Sequence, residues 1–432
     1  MENPTNPIIF VTGDNGYSLP PPYGGIMKRC LMHAKHWRSR SAEVYLHVYH
    51  RHEQEDDLGA KVNYIYDFFT KPSRLDKVFF VGKNFLRNPW LFLKLLWVQI
   101  KVSPKLQLLP LFCAGRGVFL EKQLKLVRPD IIITETAGYQ SLVSLIIARR
   151  NKLPVILINS AEVVYKLGKG GENIADRYHK LWRKLLNEVD LVISSSEHCS
   201  QGPKKYLRDT SRLKIVYSGV DFAVFNHYCS VSDKKMLRNK FSLPKDKFII
   251  TAVGALRVRK GHDQLFEALL QLPDYLDKIH LVLCGTGNME EIEQKIAELK
   301  FPRNKINFLH GLSEDDLAQL YAASDCFCFP SVTPRECMGL ALKEAMSVGL
   351  PVAAYNAGGI GEAITEGING FLAPIDDRKA LASAILSVFN LSAEEKDKMR
   401  LANNEKAGRL FDIKKTAEQI YQEALQLINN KN

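Results

Sequence analysis

Cysteine is sparse and unpatterned. The eight cysteines, at positions 30, 113, 199, 229, 284, 326, 328 and 337, never take CxxC spacing, which argues against a structural zinc site. Several sit in apolar, strand-like runs, so reduced buried thiols in a cytosolic protein are expected. Long hydrophobic runs are absent too: no stretch of about 18 apolar residues escapes a charge or a Pro/Gly break. Met1–Pro7 lacks a basic segment followed by an apolar one, so neither a membrane span nor a secretory leader is expected. There is no repeat and no low-complexity tract. What is present is 432 residues, 46% hydrophobic and 25% charged. That composition excludes a disordered or fibrous chain and suggests two or three domains of roughly 100–200 residues.

Charge is unevenly distributed. Of the net +12, residues 1–220 carry 33 Lys and Arg against 19 Asp and Glu, or +14, and the remainder carries 26 against 28, or −2. One anion-facing domain and one near-neutral domain are therefore expected.

Short Val/Ile-rich runs alternate with amphipathic segments, the pattern of parallel strands and crossover helices. Strands are expected at 8–11, 44–48, 62–66, 131–134, 155–158, 191–194 and 214–217. A second set is expected at 248–253, 280–284, 306–309, 326–329 and 352–354. Helices in the first half are expected at 25–37, 119–127, 140–150 and 175–187. The polar stretch 226–246 is expected as a linker. Near the end, Ala417, Ile420, Tyr421, Ala424 and Leu425 form a helical apolar stripe that must pack on something.

Three stretches carry chemistry. Val253–Gly261 places Arg257, Arg259 and Lys260 between a strand and a helix, where a helix N-terminus favours phosphate; a solvated basic turn is the bland alternative. Cys284–Asn288 holds a Gly-x-Gly, by itself no more than a tight turn. In Pro330–Ala354, Glu336 occupies a loop and Glu344 lies eight residues later in a helix. Carboxylates there can accept hydrogen bonds from sugar hydroxyls or a ribose diol, or be ordinary surface charges. His33 and His36 are expected in exposed or capping positions on a helix, and Cys326 and Cys328 in the core. Tyr139 and Gln140, beside Glu135 in a loop at the carboxyl end of a strand, are candidates for ligand contacts. Residues 88–102, nearly apolar and containing Trp90 and Trp97, suit a buried helix or an interfacial one.

The Glu336-x7-Glu344 pattern resembles the family 4 (group 1) retaining glycosyltransferases, together with Ser347–Leu372, Ile306–Ser331, Val216–Asp221 and Pro21–Arg29 in the same order. The resemblance implies an α/β GT-B fold: two Rossmann-like domains with parallel sheets facing a cleft. Residues 1–222 would form the acceptor-side domain and 223–412 the donor-binding domain, with the helix 413–432 returning to the first. It further implies that Glu344 binds the donor ribose and Glu336 the transferred sugar, while Lys260 faces the phosphates. Backbone groups of Cys337, Met338, Gly339 and Leu340 would face the diphosphate and sugar, Gly24 and Gly25 would approach the diphosphate, and Gly311 and Leu312 would read the base. The chain departs from the family pattern at Ala255, where an Arg is common and for which Arg257 or Arg259 could substitute. It departs again at Glu135, which stands where a His often meets the sugar.

The implied activity is retaining transfer of a hexosyl group from a nucleotide diphosphate sugar to an acceptor hydroxyl, without a metal or other cofactor. The basic first half suggests a lipid-linked or acidic glycan acceptor and an anionic membrane surface as partners, with the protein cytoplasmic or peripheral on the inner face of a membrane. Nucleic acid is not an expected partner. A non-catalytic partner subunit, a sugar-nucleotide epimerase and a phosphorylase or starch-synthase-like enzyme are the alternatives.

Overall fold

Runs that are apolar at every position need cover on both faces, which parallel strands with helical crossovers supply. The computed structural model has this arrangement twice. It describes residues 6–13, 25–50, 63–68, 72–102, 108–160, 163, 172–230, 233–257, 260–333 and 336–431. The chain divides into two compact units, Met1–Tyr217 with Thr416–Asn432, and Ser218–Lys415; the boundaries expected from sequence lay at 222/223 and 412/413.

In the first unit β1 (Ile8–Gly13), β2 (Glu43–His50), β3 (Asn63–Phe68), β4 (Ile131–Glu135), β5 (Val155–Asn159), β6 (Leu191–Ser194) and β7 (Leu213–Ile215) pair in parallel, in the order β3-β2-β1-β4-β5-β6-β7. Successive side chains enter opposite layers. Ile9, Val11, Ile131, Ile133, Ile156 and Ile158 face one layer, and Phe10, Ile132, Val155 and Leu157 face the other. The first layer is closed by Met27, Leu31 and Trp37 of the helix Gly25–Ser39 and by Ile420, Tyr421, Ala424 and Ile428 of the helix Ile413–Asn429. The Trp37 indole donates to the Ala417 carbonyl at 2.9 Å.

The other layer uses the helices Pro89–Val102, Leu108–Val127, Tyr139–Arg150 and Glu172–Glu188. Expected to begin near 119, the second of these begins at Leu108 because its glycines do not break it. A Cβ on Gly117 would lie 2.4 Å from Val143 Cγ1 and 2.5 Å from Leu95 Cδ1, so glycine serves close helix packing there. The helix Arg74–Arg87 is a further element not expected from sequence; its Ser73–Asp76 capping box fixes where it starts.

In the second unit β8 (Phe248–Val253), β9 (Ile279–Cys284), β10 (Ile306–Leu309), β11 (Cys326–Phe329), β12 (Val352–Tyr355) and β13 (Gly370–Ala373) pair in parallel, in the order β10-β9-β8-β11-β12-β13. Only β13 was not expected. The stretch 226–246 belongs to this unit and is not a free linker. Its helix Lys234–Lys240 buries Leu237 and Arg238, and Arg238 donates to the carbonyls of Ala323, Lys245 and Lys247 at 2.9–3.1 Å and to Asp325 Oδ2 at 2.5 Å. The same carboxylate oxygen accepts from the Ile249 amide at 2.8 Å. This polar segment is thus held in place by burying one guanidinium with every contact hydrogen-bonded.

Cys326 and Cys328 are fully buried, as expected. Six cysteines are free thiols: Cys30, Cys113, Cys229, Cys284, Cys326 and Cys328. Cys199 and Cys337 are not among them, which corrects the expectation of eight reduced thiols. Among the described residues no helix is long and apolar enough to cross a membrane.

Replacing Arg238 by Met should lower the unfolding free energy by about 1.5–3 kcal/mol, the scale of hydrogen bonds to a charged group. Lys234, 3.1 Å from Asp325 Oδ1, would still pair the carboxylate. A urea melt followed by far-UV circular dichroism checks this, and an unchanged midpoint would reject the clamp.

Candidate functional site

In an open parallel sheet, ligands bind outside the carboxyl ends of the strands where the strand order reverses. In the second unit that point lies between β8 and β11. The β8 loop ends at Gly261, the cap of the helix His262–Leu270, with φ +76°. A Cβ there would sit 1.9 Å from the Pro330 carbonyl oxygen, so the two loops touch through backbone. That contact brings Lys260 beside Glu336. Lys260 Nζ is 2.6 Å from Glu336 Oε2, and both side chains are less than one-fifth exposed. Ser331 Oγ also donates to Glu336 Oε2, at 3.1 Å, and the Gly359 amide donates to the Glu336 carbonyl at 2.8 Å.

Downstream of Glu336 the chain passes through Cys337, buried Met338 and Gly339 into the helix Leu340–Val348. Met338 holds φ +108°, rare for a residue with a side chain. Glu344, on the second turn, is 3% exposed, and its Oε2 accepts from the Tyr321 hydroxyl at 3.3 Å. Burial raises the Tyr321 hydroxyl well above its ordinary value, and the Glu344 charge adds to the shift. Gly311 and Leu312 follow β10, two strands from β8 on the same edge. Arg257 is exposed, while Arg259 and Gly24 lie outside the described residues. Among the described residues no cluster of three or more His, Cys, Asp or Glu could hold a metal ion.

Residues 233–408 match the family described as "Glycosyl transferases group 1". The chain carries a group 1 glycosyltransferase domain. A D-inositol 3-phosphate glycosyltransferase of Mycolicibacterium gilvum is 28% identical over 214 residues, 48% of this chain and 46% of that protein. An uncharacterised glycosyltransferase of Methanocaldococcus jannaschii is 30% identical over 161 residues, 37% of this chain and 40% of its own. The chain spans about half the length of the curated relatives it matches. Across 96% of this chain and 99% of its own, the Anabaena protein HepE, solved with UDP, superposes with a TM-score of 0.72 at 21% identity. Sucrose-phosphate synthase from Thermosynechococcus elongatus covers 98% of this chain and 100% of its own with a TM-score of 0.72 at 19% identity. The expected GT-B fold class, with two Rossmann-like parallel-sheet domains, is the one found.

Within the group 1 domain, geometry adds residues that sequence reasoning missed. Ser331 and Gly359 hold Glu336, and Tyr321 holds Glu344. Of these only Gly359 had a local signal, a Gly pair after a short strand.

In the first unit, Glu135 closes β4 and is not in a loop. It is buried and ion-paired with Arg29 of the helix Gly25–Ser39, and Arg29 also donates to Ser160 Oγ at 2.5 Å. Burial raises the Glu135 pKa, and Arg29 acts against that rise. Gly25 is the first residue of the same helix. Tyr139 and Gln140 open the next helix and are buried, at 4% and 0% exposure. His33 is also buried, and burial depresses its pKa, which corrects its expected exposed or capping role.

His262 Nε2 lies 3.3 Å from the Ala255 carbonyl. Burial lowers its pKa from 6.5 to about 4, and the nearby Lys260 charge acts the same way. Between those values the unfolded chain takes up a proton that the folded ring refuses, so stability is complete above pH 6.5 and is lost as pH falls toward 4. The advantage in melting temperature of wild type over His262→Gln should shrink across that window; a constant difference would contradict this.

Proposed function

We propose that the chain is a retaining glycosyltransferase, of family 4 within group 1, that moves a hexosyl group from a nucleotide diphosphate sugar to an acceptor hydroxyl. The reading rests chiefly on the Lys260–Glu336 pair at the strand-order reversal of a group 1 domain. Breaking the glycosidic bond leaves a nucleotide diphosphate and an oxocarbenium-like sugar, so the site must stabilise growing negative charge. In this proposal Lys260 and the backbone leading into the helix Leu340–Val348 do so, and the reaction needs no metal. Glu336 receives the sugar hydroxyls, already oriented by Ser331 and Lys260. Glu344 takes the ribose diol, and Gly311 and Leu312 meet the base. The two structures of HepE with UDP and with UDP-glucose support a nucleotide diphosphate sugar as donor. A lipid-linked or acidic acceptor fits the +14 charge of the first half.

A thermal-shift panel of UDP, GDP, ADP and their sugars tests the donor class, since a ligand that binds only the folded protein raises its melting temperature. With the donor found, Lys260→Ala should cut turnover about 100- to 1,000-fold, as loss of one oxyanion donor does. Glu344→Ala should weaken nucleotide binding, while Glu336→Ala should lower turnover more than affinity. Full activity in Lys260→Ala would overturn the assignment, and loss of turnover on chelation would overturn metal independence.

A further inference from the structure

Two neighbouring helices of the first unit have their apolar residues on the wrong side for a protein core. On the helix Arg74–Arg87, Leu75, Val78, Phe79 and Leu86 recur at helical spacing and are 67–79% exposed. On the helix Pro89–Val102, Trp90, Leu93, Trp97 and Ile100 also recur at helical spacing and are 43–84% exposed. The opposite faces are already used. The Phe80 ring lies tilted against those of Phe112 and Phe119, with centroids 5.6 and 5.9 Å away, and Asn84 is buried. Leu91, Phe92, Leu95 and Val102 belong to the inner cluster. Both helices pack on Leu108–Val127, and Phe85 meets Phe92 edge-on at 5.4 Å. Two helices that touch one another thus each present an apolar stripe to solvent while packing on the same third helix.

Charge identifies what covers these stripes. The two helices carry six basic residues, Arg74, Lys77, Lys83, Arg87, Lys94 and Lys101, and one acid, Asp76, which closes the capping box. Lys94 and Lys101 lie beside the stripe of their helix, with Lys101 Nζ 3.4 Å from the Trp97 ring centroid. An exposed apolar stripe edged by cations suits an interface with apolar chains beneath a layer of anionic groups. Each helix has 14 residues, about 21 Å at 1.5 Å per residue, too short to span a bilayer but long enough to lie in its surface.

We infer that the outer face of the helices Arg74–Arg87 and Pro89–Val102 is a docking surface for an anionic lipid bilayer, with Leu75, Phe79, Leu86, Trp90 and Trp97 inserted below the headgroups. This goes beyond the transferase reading and does not depend on it.

The test is co-sedimentation of the full chain with vesicles of equimolar phosphatidylglycerol and phosphatidylcholine, against phosphatidylcholine alone. The chain should bind the anionic vesicles and release at about 1 M salt, where the screening length falls to about 3 Å. Trp37 and Trp182 are already buried, so a blue shift of tryptophan emission on binding would report Trp90 and Trp97. The double variant Leu86→Ser/Trp90→Ser should lose binding at least tenfold while keeping its melting temperature. Should it misfold, the charge variant Lys94→Gln/Lys101→Gln carries the same test, with an expected loss of about tenfold or more. Failure to bind, equal binding to neutral vesicles, or full binding by the variants would overturn the inference. So would a concentration-dependent dimer lost in the same variants without vesicle binding, since a second copy would then be the occupant. A nucleotide thermal shift on the same samples keeps this outcome separate from that of the transferase reading.

Discussion

Because β8 and β11 run parallel and side by side while their crossovers leave in opposite directions, the loops after them start from adjacent backbones and then diverge. The space between is closed at its base by the Gly261–Pro330 approach, which tolerates no side chain. Lys260 and Glu336, 76 residues apart in sequence, are held as an ion pair there. The cation and the carboxylate mask one another, so a phosphate reaching Lys260 would compete with a partner that Ser331 and the Gly359 amide keep in position.

Several charges buried in the two units are paired with an opposite charge. Arg238 spends its donors on three carbonyls and a carboxylate, and Arg29 pairs with Glu135 at the end of β4. In the first unit Asp67 accepts from His47 at 2.8 Å and lies 2.5 Å from Arg116 Nε, with all three side chains nearly inaccessible. Removing one member of such a set leaves an uncompensated charge, which costs more than the pair contributes.

Legibility from sequence tracked burial pattern. Strands buried on both faces, such as β4, β5 and β11, stand out as apolar runs, whereas β13 is a four-residue edge strand opened by glycine and has no such run. The glycines of Leu108–Val127 mimic a turn when their packing partners are unseen. Glu336, Lys260 and Glu344 could be picked from motif spacing. Their supports, Ser331 and Tyr321, could not, because nothing local distinguishes a hydroxyl that meets a distant carboxylate. The burial of Tyr139 and Gln140 was likewise hidden, since a polar side chain opening a helix resembles a surface residue until its neighbours are placed.

The helix Ile413–Asn429 completes the apolar layer around Trp37, Ile9 and Ile133, yet nearly 200 residues of the second unit separate it from the rest of that layer. During synthesis the earlier residues leave the ribosome with that face covered only in part, by the helix Gly25–Ser39, and the rest stays open until the helix Ile413–Asn429 is made. The second unit, continuous in sequence, is free to fold in the interval. The order of assembly thus inverts the order of the chain. The wait for Ile420, Tyr421 and Ala424 is the period in which the nascent first unit is most open to aggregation or chaperone capture.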